Sequence, residues 1–214
     1  MKTRAVIISN GSIENYGLIR SKIYDSDYII CTDGAIKHSL KLNLLPDLWI
    51  GDFDSCRYDN LIESNKALQS VPIIRLKSEK DETDTHIACL EAARMKFKKI
   101  LILGGTGKRC DHMLGNFALL EYLHKLNISA SVEDERNTIF FADKITKIKK
   151  SKKYISVLPA DEEVVIKNSE GLKYKITNLT LKRYKTTGIS NEFVSESATI
   201  EFKSGAAYIV LSDD

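Results

Sequence analysis

Between residues 5 and 105, short apolar runs recur, mostly bounded by Gly, Asp, Asn or Ser: "AVII" (5–8), "YIIC" (28–31), "LWI" (48–50), "PIIRL" (72–76) and "KILILGG" (99–105). Runs that are apolar throughout, rather than alternating, are what strands covered on both faces look like. Helical patterns separate them. The clearest cover 81–97 and 111–126, and in the second Met113, Phe117, Leu120 and Leu123 recur every three or four residues, as the core-facing side of a helix should. Strand and helix in alternation specify a parallel sheet with crossover helices. From about Ile128 the helical patterns vanish, and "ATIEFK" (198–203) and "AAYIVL" (206–211) alternate on either side of Ser204 and Gly205, which predicts a hairpin. The expected architecture is an α/β domain with a mainly parallel sheet over residues 1–127, followed by a smaller all-β, sandwich-like domain over 128–214.

Composition removes several functional classes. The 214 residues hold 32 Lys and Arg against 29 Asp and Glu, a net charge of +3, so overall charge points to neither nucleic acid nor a membrane surface. The run "KITKIKKSKKY" (144–154) carries six lysines but lacks the interleaved aromatics and arginines that read bases, and is expected to be a solvated strand edge. Cys31, Cys56, Cys89 and Cys110 are scattered with no CxxC pair, as in a chain with reduced thiols in the cytoplasm. The apolar core of the N-terminus is only Ala5 to Ile8, too short for a secretory leader, and no later run reaches membrane-spanning length.

Ligands of open parallel sheets bind beyond the carboxyl ends of the strands. Acids collect there in this chain. Asp33 follows "YIIC", Asp52 and Asp54 follow "LWI", Asp81 and Asp84 follow "PIIRLK", and Asp111 follows the glycine loop after "KILIL". Carboxylates gathered at one edge repel one another unless a cation sits among them, and hard oxygen donors suit Mg²⁺, so the pattern points to a magnesium and nucleotide site. Each acid also has a plainer reading: Asp81 as the N-cap of its helix, Asp84 as a first-turn acid stabilised by the helix dipole, Asp52 and Asp54 as turn formers. Two residues apart on an extended segment, however, Asp52 and Asp54 face the same way and can approach one ion.

The loop "GGTGKRCDH" (104–112) joins a strand to a helix, where backbone amides can cradle phosphate. It is neither of the familiar phosphate loops. Lys108 is followed by Arg109 rather than Ser or Thr, and counting from Gly105 the third glycine position of a dinucleotide fingerprint holds Cys110. What it offers is Lys108 and Arg109 as phosphate ligands, Arg with the better bidentate geometry. His112 lies beside them, while His38, His86 and His124 sit on helical stretches without metal-ligand spacing.

Taken in order, "TDGAIKHSLKLNLLPDLWIGDFDS", "DETDTHIACLEAA" and "LGGTGKRCDHMLGN" resemble the three catalytic blocks of thiamine pyrophosphokinases, and "GISNEF" (188–193) resembles their thiamine-binding domain. The resemblance implies transfer of a pyrophosphoryl group from ATP to the hydroxyl of thiamine, giving thiamine diphosphate and AMP, by a homodimer with thiamine near the subunit interface. It implies Asp52, Asp54, Asp81 and Asp84 around Mg²⁺, and Asp33, Gly34, Thr83, Gly105, Thr106, Arg109 and Asp111 along the ATP site. Ser190 and Asn191 match the thiamine-recognition stretch, and "GLKY" (171–174) is similar to a second block of that domain. Lys108 stands where the family often has Gly.

The implied chemistry rests on positioning and charge neutralisation, with Asp54, Asp84 and Arg109 as the catalytic candidates and Asp54 or Asp84 as acceptor of the hydroxyl proton. Two alternatives remain at this point. One is a Mg-dependent phosphohydrolase with Asp52 of the DxD as nucleophile, which leaves "DETD" and "GISNEF" unexplained; the other is a non-catalytic nucleotide-binding module.

Overall fold

The computed structural model describes residues 2–53 and 58–214. Its contacts divide the chain into two units, one ending at Glu135 and the other Arg136–Asp214. In the first, strands β1 (Arg4–Ile8), β2 (Asp27–Thr32), β3 (Leu48–Gly51), β4 (Ile73–Arg75), β5 (Lys99–Leu103) and β6 (Ser129–Glu133) lie in the order β6-β5-β1-β2-β3-β4. Every pair is parallel. Helices α1 (Tyr16–Ser21), α2 (Ile36–Lys41), α3 (Tyr58–Ser64), α4 (Asp84–Arg94) and α5 (Cys110–Lys125) alternate with the strands. Ala5–Ile8 and Ile100–Leu103 are buried along their whole length, which is why these strands read as unbroken apolar runs. The domain boundary expected after residue 127 falls instead after Glu135. The helical texture stops there because α5 ends at Lys125, but the next element, β6, pairs in parallel with β5 up to Leu103↔Glu133.

Strand order sets the place of the site. The chain builds outward from β1 through β2 and β3 to β4, and α4 then carries it back so that β5 pairs with the other side of β1. The order reverses between β1 and β5, and it is at such a switch point that open α/β sheets leave a crevice beyond the strand ends.

Two helices differ locally from their sequence pattern. α4 begins at Asp84 because Thr83 is its cap, the Thr83 hydroxyl accepting from the His86 amide at 3.2 Å, so Asp81 stands outside the helix and does not cap it. The buried side of α5 is Asn116, Leu119, Leu120 and Leu123, with Met113 and Phe117 only partly covered. The stripe is rotated because Asn116 is turned inward to donate to the Gly105 carbonyl at 2.8 Å.

The second unit is all β: β7 (Asn137–Ala142), β8 (Thr146–Lys149), β9 (Tyr154–Pro159), β10 (Glu163–Glu170), β11 (Thr180–Lys182), β12 (Asn191–Glu192), β13 (Ser197–Ser204) and β14 (Ala207–Ser212). One antiparallel group runs β12-β9-β14-β7 and a second sheet runs β11-β10-β13-β8. Val157, Ile209 and Leu211 from the first share a core with Val164, Ile200 and Phe202 from the second, as in a sandwich. The expected hairpin across Ser204 and Gly205 does not form. β13 pairs with β10 and β8, whereas β14 pairs with β7 and β9. Both strands alternate because both line the same core, and alternation carries no information about which sheet a strand joins. Gly205 makes the change of sheet at φ 75°, where an added Cβ would stand 2.5 Å from the Glu163 carbonyl oxygen. Part of the lysine run lies as expected, since β8 is an edge of its sheet with Lys147 and Lys149 exposed on either side of buried Ile148, whereas Lys152 is largely covered and paired with Asp213 at 3.0 Å. Among the described residues no helix is long and apolar enough to cross a membrane.

Candidate functional site

A cavity of about 470 Å³ opens in the first unit at the switch point. That is within the usual range for small-ligand sites. Its walls come from the carboxyl ends of three strands: Ser9–Gly11 after β1, Thr32 and Asp33 at the end of β2, and Gly104–Arg109 after β5, joined by Ser78 and Lys80–Thr85 and by His112 and Asn116 of α5. The two loops facing each other across β1 and β5 are locked together. Gly11 N donates to Gly104 O at 2.8 Å and Ser12 N to Thr106 O at 2.9 Å. Gly104 sits at φ 63°, and a Cβ there would meet the Ser9 carbonyl oxygen at 2.3 Å, so only glycine permits this approach. A buried Ser9–Thr85 hydroxyl contact of 2.9 Å ties the same loop to α4.

Behind the Ser9–Gly11 wall lies His38, buried, with Nε2 donating to Gly11 O at 3.1 Å and Nδ1 accepting from the Tyr16 hydroxyl at 2.7 Å. Burial, first among its causes, holds its pKa below the usual histidine value, so it is a neutral strut rather than a proton carrier.

The acids divide by role. Asp33 is buried at the start of a one-turn 3₁₀ segment with φ 36°, and its carbonyl accepts from Trp49 Nε1 at 2.9 Å. Asp84, the first residue of α4, is half-buried. Desolvation raises its pKa; Lys80 opposes that shift, and the neighbouring charges of Asp33 and Asp52 reinforce it. Lys80 joins the cluster: its ammonium lies 3.1 Å from Asp84 Oδ1, 3.2 Å from Asp52 Oδ2 and 3.3 Å from the Lys77 carbonyl. Asp54, the other half of the DxD, lies outside the described residues. Asp81 is exposed on the cavity wall, and Thr83 lines it while capping α4.

A hard divalent cation fits this donor set. Among the described residues no three acidic, His or Cys side chains are grouped closely enough to hold a metal by themselves. That is the ordinary situation for Mg²⁺, which takes one or two carboxylates, keeps waters and completes its shell with substrate phosphates. Asp52 and Asp84 are such a pair, and a protein cation already bridges them.

The glycine loop supplies the opposite charge. Lys108, at φ 53°, turns its ammonium back to Asn10 O at 2.9 Å. Arg109 precedes α5 at the cavity mouth and grips Asp111 through two of its nitrogens, which with the His112 amide holds the Asp111 carboxyl down to about 2. Gly105 is buried, and Thr106 donates its hydroxyl to Asp134 at 3.0 Å. Of the residues expected here, Gly34 and Asp111 do not line the cavity: Gly34 is buried within its 3₁₀ turn and Asp111 is exposed as the partner of Arg109. Sequence reasoning missed Lys80, Asn116 and the Ser9–Gly11 loop. "SNG" directly after the first apolar run was the available signal for the loop.

In the second unit "GISNEF", singled out for thiamine, and "GLKY", the second block of that domain, prove to be one structure. Asn191 is buried; its Oδ1 accepts from the Tyr174 amide at 3.0 Å and the Glu192 amide at 2.9 Å, and its Nδ2 donates to Tyr174 O at 2.7 Å. Lys173 N donates to Glu192 O at 2.9 Å and Val194 N to Gly171 O at 3.0 Å, so "GLKY" and "GISNEF" run side by side. Ser190, at φ 57° and exposed, is held by its amide on Ser156 Oγ at 3.0 Å. Asn191 therefore shapes this surface, and Ser190 presents a hydroxyl on it.

Comparison with known proteins adds names to these two units. Residues 19–132 match the family model described as thiamin pyrophosphokinase, catalytic domain, and residues 143–207 match the one described as thiamin pyrophosphokinase, vitamin B1 binding domain. The chain is 33% identical over 178 residues to a thiamine pyrophosphokinase of Bacillus subtilis, covering 82% of each chain. A crystal structure of thiamine pyrophosphokinase from Bacillus subtilis superposes with a TM-score of 0.89 at 28% identity over 99% of both chains. The yeast thiamin pyrophosphokinase shares the fold, with a TM-score of 0.81 at 20% identity over 99% of this chain and 86% of that one.

Proposed function

The chain belongs to the thiamine pyrophosphokinase family, and from that premise we propose how its two units divide the transfer of a pyrophosphoryl group from ATP to the hydroxyl of thiamine. The first unit binds ATP and the second recognises thiamine. The observation that carries the assignment is the cavity at the β1–β5 switch point, with Asp33, Asp84 and Lys80 on one wall and the Gly104–Arg109 loop on another. It offers carboxylates for a cation beside backbone and cationic donors for phosphate.

In the reaction the thiamine hydroxyl oxygen bonds to the β-phosphorus, the bond from that phosphorus to the α–β bridging oxygen breaks, and AMP leaves with that oxygen. Asp52, Asp54, Asp81 and Asp84 would hold Mg²⁺, which when bound would supply neutralising charge for the transferred phosphates. The Gly105 and Thr106 backbone and Arg109 orient the phosphate chain. Arg109 spends two nitrogens on Asp111, which leaves N–H donors of its guanidinium for phosphate oxygens. Asp33, with Gly34 shaping its turn, adds the negative field that favours both the metal and the thiazolium cation of thiamine. The hydroxyl proton passes to a carboxylate of this wall, Asp54 or Asp84. In the second unit Asn191 fixes the paired loops, and Ser190 contacts thiamine.

We place the enzyme in the cytoplasm as a homodimer, in keeping with the free thiols of Cys31, Cys89 and Cys110 and with the family resemblance. Sedimentation equilibrium giving twice the chain mass tests the dimer. A ³¹P NMR time course with ATP, Mg²⁺ and thiamine tests the reaction: AMP and thiamine diphosphate should appear only when thiamine is present. ADP and phosphate, or unchanged ATP, would overturn it in favour of a phosphohydrolase or a binding module.

A further inference from the structure

Lys80 is the side chain on which the acidic wall converges. Its ammonium is held by three oxygens, at 3.1 Å (Asp84), 3.2 Å (Asp52) and 3.3 Å (Lys77 carbonyl), and only 18% of the side chain is exposed. Asp33 adds a third carboxylate whose charge reaches Asp84. The two carboxylates that Lys80 bridges are the pair proposed above to hold Mg²⁺. A divalent ion drawn to oxygens of Asp52 and Asp84 would enter the space the ammonium spans, and two cations at van der Waals distance in a partly desolvated site repel strongly. One of them must move. Lysine is suited to be the one that does, since its charge is compact, its donors rotate freely and its stem is flexible. Lys80 lines the cavity itself, four residues ahead of Asp84 on the segment entering α4. With nucleotide in the cavity that Lys80 lines, the phosphate chain offers an anion to which it can turn.

Resting on the pyrophosphokinase reading, we propose that Lys80 is an exchangeable counter-cation: in the free protein it bridges Asp52 and Asp84, and when the metal–nucleotide complex enters it yields that place and swings into the cavity to hold the phosphate chain. Lys80 is thus a positioning residue for the acidic wall before binding and a phosphate ligand after it. The exchange keeps the two carboxylates together while no metal is present. It also makes binding of metal alone weak and binding of metal with nucleotide strong, because only the second gives the displaced ammonium a new partner.

The test compares wild type with Lys80→Met and Lys80→Arg, and its readouts are binding rather than turnover. Free Mn²⁺ measured by EPR in the absence of nucleotide should give an affinity about tenfold tighter for Lys80→Met, the scale on which neighbours of a metal site tune affinity. Calorimetry with Mg²⁺ and the non-transferable analogue α,β-methylene-ATP should give binding about tenfold weaker for the same variant, and Lys80→Arg should lie near wild type in both. Mn²⁺ affinity unchanged or weakened in Lys80→Met, or undiminished analogue binding, overturns the exchange. Should Lys80→Met fail to fold, the wild type decides: after reductive ¹³C-methylation, the Lys80 NMR signal, identified by its absence in Lys80→Arg, should shift when Mg²⁺ and the analogue are added together, and a static signal overturns the proposal. Thiamine-dependent AMP formation by wild type is scored separately, so the exchange can fail while the activity stands.

Discussion

Asn191 in the second unit spends its side-chain oxygen on two backbone amides and its nitrogen on a carbonyl. Asp84 in the first is half-buried, and its Oδ1, shut off from solvent, meets the Lys80 ammonium at 3.1 Å without a well-directed hydrogen bond among the described residues. Both residues sit where the chemistry of the family is expected, but one is satisfied by its own chain and the other waits for something from outside. A satisfied polar network stiffens a loop and fixes a shape; a buried carboxylate whose charge is incompletely answered stores affinity for a cation. The surface proposed for thiamine in the second unit is organised by geometry, and the cavity of the first by charge.

The sharpest way to break this contrast is Asp84→Asn. It removes charge and little volume, so thiamine diphosphate formation should fall by about 10²–10³-fold, the range for loss of a group that stabilises transition-state charge, with the thermal midpoint nearly unchanged. A near-normal rate in the folded variant would remove Asp84 from the chemistry. Asn191→Ala should do the reverse. It orphans the Tyr174 and Glu192 amides and should cost ~1–3 kcal/mol in chemical denaturation, while raising KM for thiamine and leaving KM for ATP and most of kcat intact. Lost kcat at unchanged stability would mean that Asn191 acts on the substrate instead.

His38 sharpens the comparison because it is a satisfied group inside the charged unit. Its folded pKa lies below the ordinary 6.5, so the unfolded chain takes up a proton first as pH falls. The stability it contributes should be complete above pH 6.5 and decline as pH drops through the window down to its folded value. Urea titrations of wild type and His38→Gln across pH 7 to 5 should show a shallower decline in the variant; identical slopes would put the acid sensitivity elsewhere. The smallest effect is expected on the lysine run, where Lys147→Ala at the exposed edge of β8 should change stability by no more than ~0.5 kcal/mol and leave activity alone. A larger loss of activity would give that edge a role in neither class.

The charged unit was the more legible of the two in the sequence, for a physical reason. Strands covered on both faces must be apolar throughout, so β1, β2, β3 and β5 announce themselves, and whatever follows them sits at the ligand-binding edge by topology alone. Asp33, Asp52, Asp84 and the glycine loop could be placed in that way. Lys80 could not, because a lysine four residues before the start of a helix has no periodic signature, and its value lies in two partners, one of them 28 residues distant. In the second unit the alternation of β13 and β14 gave the inward faces but assigned the two strands to one hairpin, since pairing is decided at Gly205 and not by the pattern. That "GLKY" lies against "GISNEF" was hidden for the same reason: contacts between loops leave no period.

The position of β1 has a further consequence, in time rather than in space. It is central and is synthesised before β5, its partner on one side, which follows roughly 95 residues later in the register Ile8↔Leu103. At ~5–20 residues per second, a nascent chain carries that open strand edge for several seconds. Until then the Ser9–Gly11 loop has no Gly104 to bond, so the cavity has no existence in a partly made chain. Nucleotide can act as a folding ligand only for a chain whose first unit has emerged almost whole.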